Sequence, residues 1–171
     1  MGHIDDWEKI EGLDPLDSPA LLIDADKVAS NIELMIEVVG GDVHRLRPHV
    51  KTYKMAEVVE MQLKAGITKF KCATIAEAEM LALCQAPDVL LAHQPTFPKA
   101  LRLLELVRKY PKTAFSCIVD NMQTLAMLEQ LWYAEPSNLH VYIDIDNGNH
   151  RTGVIAEMAE VLANKIMSSG A

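Results

Sequence analysis

The 171-residue sequence predicts an α/β protein built on a parallel sheet. Three observations predict it. Short β-rich runs alternate with longer helical patterns in units of roughly 20 to 26 residues, the spacing of βαβ units. Glycines and polar cap residues stand at the joints between them. Neither G-x-G-x-x-G nor G-x-x-x-x-G-K-[ST] occurs, which lowers the dinucleotide-binding and P-loop alternatives. At this level a (β/α) barrel and a doubly wound sheet both fit.

The elements follow in order. Ala20–Asp24 reads as a first strand. The helix after it carries Val28, Ile32, Met35 and Val39 on one face and stops at Gly40-Gly41. Arg45–Lys51 reads as the second strand, followed by a helix from Met55 to Gly66 with Val59 and Leu63 on one face. The run Lys69–Thr74 ends in Thr74-Ile75-Ala76-Glu77, a capping box that opens a helix to about Cys84. Asp88–His93 leads through Gln94-Pro95-Thr96 into a helix with Leu101, Leu104 and Val107 on one side. Ala114–Val119 is followed by the cap signature Asp120-Asn121-Met122-Gln123 and a helix to about Trp132. His140–Ile145 is the last strand, and the last helix spans about Ala156 to Met167.

Composition bounds the function. An apolar fraction of 50% supports a real core and excludes disorder as the dominant state. The net charge of −8 argues against general nucleic-acid or anionic-membrane binding. Cys72, Cys84 and Cys117 lack a C-x-x-C spacing, so reduced thiols in a cytoplasmic setting are expected, with no disulfide scaffold or zinc site. No signal peptide or membrane span is expected.

One strand stands out. His44-Arg45-Leu46-Arg47-Pro48-His49-Val50-Lys51-Thr52-Tyr53-Lys54 is strongly basic. Alternation puts Leu46, Pro48 and Val50 on one face and Arg45, Arg47, His49 and Lys51 on the other. A solvated edge strand would explain such charges. A strand inside the sheet would need carboxylates beside it or an anionic ligand. Tyr142, Asp144 and Asp146 share one face of the last strand and complement the basic run in sign. Lys51, Thr74, His93 and Asp146 fall at C-terminal strand ends, where barrels place their chemistry. A lysine among cations on a rigid strand suits Schiff-base formation, and a lysine paired with Asp144 or Asp146 is the alternative. Asp146-Asn147-Gly148-Asn149-His150-Arg151-Thr152-Gly153-Val154 flanks Arg151 with glycines, either to bring its guanidinium to a ligand or as an ordinary turn.

These residues carry a resemblance. Ser18-Pro19-Ala20-Leu21-Leu22-Ile23-Asp24, Asn31-Ile32, Arg47-Pro48-His49-Val50-Lys51-Thr52, Cys72-Ala73-Thr74-Ile75-Ala76-Glu77-Ala78-Glu79 and Asp146-x-Gly148-x-x-Arg151-x-Gly153-Val154 occur in this order. Together they resemble the alanine racemase N-terminal-domain superfamily, within it the D-threonine aldolase and D-serine dehydratase group. The resemblance implies a fold type III pyridoxal phosphate (PLP) enzyme, with a TIM-type (β/α) barrel and a C-terminal β domain. It implies residues 1–19 as an N-terminal extension and 20–171 as the N-terminal portion of the barrel. About five of eight barrel strands would be present, and the β domain would lie outside this chain. It implies that Lys51 forms the Schiff base with PLP, that Arg151 lies beside the cofactor's phenolic oxygen, and that His49 and Thr74 line the same site. The family's run often continues with a second His where this chain has Tyr53, whose role stays open.

The activity so implied is PLP-dependent chemistry at Cα of a D-amino acid: aldol cleavage, dehydration or racemisation. The expected protein is a cytoplasmic homodimer acting on a small-molecule substrate, without nucleic-acid or membrane partners. In the aldolase and dehydratase branch a divalent metal is implied, its ligands outside this chain. The alternative is a PLP-binding or homeostasis protein without robust catalysis. The 171 residues alone are expected to bind PLP weakly and to be inactive, because five strands leave an open edge.

Overall fold

A computed structural model describes residues 11–134 and 136–168. Four strands form one sheet: β1 (Lys69–Cys72), β2 (Asp88–Leu91), β3 (Ala114–Val119) and β4 (His140–Ile143). All pairs are parallel, and the spatial order β1-β2-β3-β4 follows the chain. The helices are α1 (Ala25–Val38), α2 (Ala56–Lys64), α3 (Ile75–Leu83), α4 (Phe97–Lys109), α5 (Met122–Ala134) and α6 (Ala156–Ser168).

Sequential order decides between the two α/β alternatives. Right-handed crossovers between successive neighbours put every connecting helix on the same side of the sheet. Phe70, Cys72, Val89, Leu91, Phe115, Cys117 and Val119 are accordingly buried on that side. The other side carries Lys69 and Lys71, Leu90, Ile118 and Tyr142, half-buried or exposed. A sheet wrapped on one face only is an arc of a barrel, and this arc is not closed. Burial also pushes the Cys72 and Cys117 thiols up to about 12, so neither is a ready thiolate.

Several expectations need correction. Ala20–Asp24 pairs with nothing among the described residues; Leu21 is 76% exposed, and Asp24 serves as N-cap of α1 by accepting from the Lys27 N–H at 3.0 Å. The basic run is not a regular strand. It is a single parallel bridge, His49 to Lys71, between two 3-10 turns at Val43–Arg45 and Val50–Thr52. Proline has no N–H to give a ladder, and Pro48 contributes only its carbonyl, which accepts from the Lys71 N–H at 2.8 Å. The arc therefore holds four strands and one bridged position where five strands are expected. β4 ends at Ile143, and Ile145 continues only as a bridge to Val154. On α4 the buried face is Ala100, Leu103, Leu104 and Leu106, while Leu101 is exposed, because its inward stripe is rotated from the one expected. The basic run and the acidic face of β4 do not meet: they occupy opposite edges of the sheet. Arg47 finds its counter-charge on β2 instead, in a two-pronged pair with Asp88 at 2.6 and 2.8 Å.

A cleft of 390 Å3 opens at the N-terminal ends of β2 to β4, lined by Asp88, Ser116, Trp132, His140, Tyr142 and Ile166 among others. It lies at the end of the sheet away from the strand termini that carry the motif residues. No described helix is long and apolar enough to cross a membrane.

Candidate active site at the C-terminal strand ends

Lys51 sits in the short 3-10 turn that follows the bridge residue His49. Val50 before it is fully buried and anchors the turn, while Lys51 itself is exposed. The turn is closed by the N–H groups of Tyr53 and Lys54, both donating to the Val50 carbonyl at 3.3 and 2.8 Å. The His49 ring caps it: Nδ1 accepts from the Lys51 N–H at 3.4 Å. That acceptor role requires neutral imidazole with its proton on Nε2. Desolvation first, then the ammonium groups of Lys71 and Lys51, hold the His49 pKa below the ordinary 6.5, which favours this neutral form.

The turn is tied to the next strand end. Lys54, in the left-handed region at φ 49°, places its ammonium 3.3 Å from Oε1 of Glu77, which is only 4% exposed. The other oxygen of Glu77 accepts from the Ala73 N–H at 2.8 Å, and the Thr74 hydroxyl oxygen accepts from the Glu77 N–H at 3.1 Å. The capping box is thus present, with its carboxylate shifted one residue back, to Ala73. Burial alone would push the Glu77 carboxyl up; the Ala73 N–H, the Lys54 ammonium and the Thr74 hydroxyl outweigh it and hold it below 4.5. Tyr53 turns away from Lys51 into the core, and its hydroxyl donates to Oε1 of buried Gln62 on α2 at 2.9 Å. Burial raises its pKa to about 12, so it acts as a neutral anchor.

Arg151 lies at the other edge, in the loop after β4. The loop leaves at Asp146 and returns at Gly153-Val154. The Val154 N–H donates to the Asp144 carbonyl and the Asp146 N–H donates to the Val154 carbonyl, both at 2.9 Å. Asp146 organises the interior: Oδ1 accepts from the Gly148 and His150 N–H groups at 3.0 and 2.9 Å, and Oδ2 lies 2.8 Å from His150 Nδ1. These backbone donors hold the Asp146 carboxyl below the usual 3.8. The glycine at 153 is obligatory. Its φ is +97°, and a Cβ there would stand 2.6 Å from the Asp146 nitrogen. Arg151 is exposed at the tip and has no ion pair among the described residues.

Between the edges runs a polar chain absent from the sequence expectations. The Gln94 amide donates to Asp120 at 2.7 Å and to Asp144 at 3.2 Å, and Asp120 also accepts from the Gly153 N–H at 3.3 Å. It links the ends of β2, β3 and β4 to the arginine loop. Its only sequence signal is position, since each residue stands within three residues of the C-terminal end of an observed strand. Of the predicted residues, the fold groups His49, Lys51 and Thr74 at one edge. It keeps Arg151 at the other, with no hydrogen bond between Arg151 and Lys51. His93 is exposed, and no described acid pairs with Lys51.

A parallel arc with exposed lysine and arginine at its C-terminal strand ends has the layout of a barrel, the fold class that carries its functional groups at that end. The family "Alanine racemase, N-terminal domain" matches residues 23–170, and the chain belongs to it. The chain is 31% identical over 147 residues to the D-threo-3-hydroxyaspartate dehydratase of Delftia sp. (strain HT23), covering 86% of this chain and 38% of that protein. It is 29% identical over 153 residues to the D-threonine aldolase of Arthrobacter sp., covering 88% of this chain and 40% of the relative. The crystal structure of D-threonine aldolase from Filomicrobium marinum superposes with a TM-score of 0.72 at 26% identity, over 81% of this chain and 37% of that one. The chain therefore spans about two-fifths of the length of these relatives.

Proposed function

We propose that this chain is the cofactor-holding arc of a PLP-dependent lyase that acts on β-hydroxy D-amino acids, with residues 20–171 as the N-terminal part of the barrel and 1–19 as an extension. One observation carries the reading. The Lys51 amine is exposed on a turn that is itself clamped by Val50, His49 and the Lys54–Glu77 pair, and it has no counter-ion among the described residues. A primary amine held this way, with further cations beside it, fits an aldehyde that carries anionic groups.

Lys51 would hold PLP covalently, and Arg151 would give it a cation from the opposite edge. PLP supplies, when bound, an electron sink for the pair released as a bond at Cα breaks. The chain's own residues set the stage for that. Neutral His49 keeps its proton on Nε2 while Nδ1 fixes the lysine turn. The Thr74 hydroxyl oxygen accepts from the Glu77 N–H and fixes the start of α3 beside the lysine turn. The Gln94–Asp120–Asp144 chain sets where the arginine loop stands. The names of the relatives support cleavage at Cα–Cβ or loss of a β-hydroxyl over racemisation. On the same reading the working protein is a cytoplasmic homodimer, and a divalent metal takes its ligands from outside this chain.

Borohydride reduction in the presence of PLP, followed by peptide mapping, tests the reading. The label is expected on Lys51 and absent from Lys51→Ala. A wild-type protein whose Lys51 peptide stays unlabelled refutes it.

A further inference from the structure

Lys71 is the third residue of β1. Its neighbours Phe70 and Cys72 are fully buried on the helix side, so alternation places Lys71 on the open side of the arc. Its row across the sheet is Leu90, Ser116 and His140, with no acid among them. On its other flank is the bridge partner His49, two residues before Lys51. His49 is bridged to Lys71 and its Nδ1 accepts from the Lys51 N–H at 3.4 Å, so the three residues share one neighbourhood, with the Glu77 carboxylate also acting on the His49 ring.

Lys71 is half-buried, yet no described carboxylate pairs with it. The acids of this edge are committed. Asp88 takes the Arg47 guanidinium, and Glu77 takes Lys54 and the Ala73 N–H. A partly desolvated ammonium without a counter-charge is unfavourable, and an anion beside it removes that penalty.

We propose that Lys71 is an anion-recognition residue of the Lys51 site: it takes the phosphate group or the side-chain carboxylate of the small molecule that Lys51 captures. The proposal rests on Lys51 being the capturing amine. It makes a molecule with an anionic group reaching the His49–Lys71 bridge a better ligand than its neutral counterpart.

The test uses the protein expressed from its complete reading frame, as wild type, Lys71→Gln and Lys71→Arg. One arm sets PLP against pyridoxal, which lacks the phosphate, and reads equilibrium binding by absorbance. The other sets 3-hydroxy-D-aspartate against D-threonine, which lacks the side-chain carboxylate, and reads KM and kcat separately. Lys71→Gln is expected to weaken the anionic member of one pair roughly tenfold and leave the neutral member nearly unchanged, with Lys71→Arg restoring most of the preference. The arm that responds identifies the source of the anion, cofactor phosphate or substrate carboxylate. In wild-type protein, the same anionic ligand should shield Lys71 from amine acetylation read by peptide mass spectrometry, which needs no variant to fold. Unchanged preferences in both arms overturn the proposal, as does a fall in thermal stability alone, the result if a protein carboxylate faces Lys71. Borohydride labelling separates the failures. Unlabelled Lys51 sinks the parent reading; labelled Lys51 with unchanged preferences sinks the role of Lys71 alone.

Discussion

The lysine edge and the arginine loop solve the same problem by different means. Each must hold an exposed cation at a strand end. The lysine turn is held by side chains that reach into the core: Val50 fully buried, Glu77 nearly so, Tyr53 bonded to Gln62. The arginine loop is held by its own backbone, with left-handed residues at Gly148, His150 and Gly153 and one carboxylate, Asp146, collecting N–H groups. The first should depend on packing and buried polar partners, the second on conformational permission. Substitutions can break that contrast.

The largest effect is expected at Gly153. Alanine there meets the Asp146 nitrogen and a strained φ, so Gly153→Ala should cost about 2–3 kcal/mol in chemical denaturation and raise amide exchange selectively in residues 146–153. An alanine variant as stable as wild type would show that the backbone does not hold the loop. Glu77→Ala comes next, at about 2 kcal/mol, because it strips a charged acceptor from the half-buried Ala73 N–H and frees Lys54. Here exchange should rise around residues 50–54 and leave 146–153 alone. Tyr53→Phe removes one hydrogen bond and leaves the Gln62 oxygen buried, so about 1 kcal/mol is expected, read as a shift in the denaturation midpoint.

The smallest effects are in pH dependence, and their windows differ. The folded-state pKa of His49 lies below 6.5, so on acidification the unfolded chain takes the proton first. Its contribution is present above pH 6.5 and lost as pH falls below it, and His49→Asn should flatten the stability profile there. The folded-state pKa of Asp146 lies below 3.8. Its contribution is full above that value and lost as pH falls through the lower folded value. Protection of the Gly148 and His150 amides should therefore survive through pH 5 and fail only in stronger acid. A single shared window would mean that the two edges melt as one unit.

Much of this was legible in one dimension. The two cap signatures mark observed helix starts, where Thr74 and Asn121 each accept a backbone N–H three residues on, because capping is a local contact; Asp24, read as a strand end, caps α1 in the same way. β3 occupies the predicted Ala114–Val119, where burial on the helix side and a full ladder agree. The glycine spacing after Asp146 announced a tight loop, and the loop is there. The basic run misled, because alternation assumes a ladder that Pro48 does not extend. Its presumed acidic complement on β4 misled too, because strand order is not written in strand composition. Nothing local marks Gln94, Asp120 and Asp144 as partners; they are 26 and 50 residues apart in the chain and meet only because β2, β3 and β4 are adjacent.

The sequence by itself determined the α/β alternation, the helix starts, the special backbone at Gly153 and the family motif around Lys51 and Arg151, since each depends on a residue's own conformational preferences or on neighbours within one turn. Only the tertiary structure decided that the arc is singly wound, that Arg47 belongs to Asp88 and Lys54 to Glu77, that Tyr53 faces the core, and that Lys71 stands beside His49 without a described counter-ion. Those are questions of which strand lies next to which and on which face, and they are settled by the burial of apolar side chains across the whole sheet.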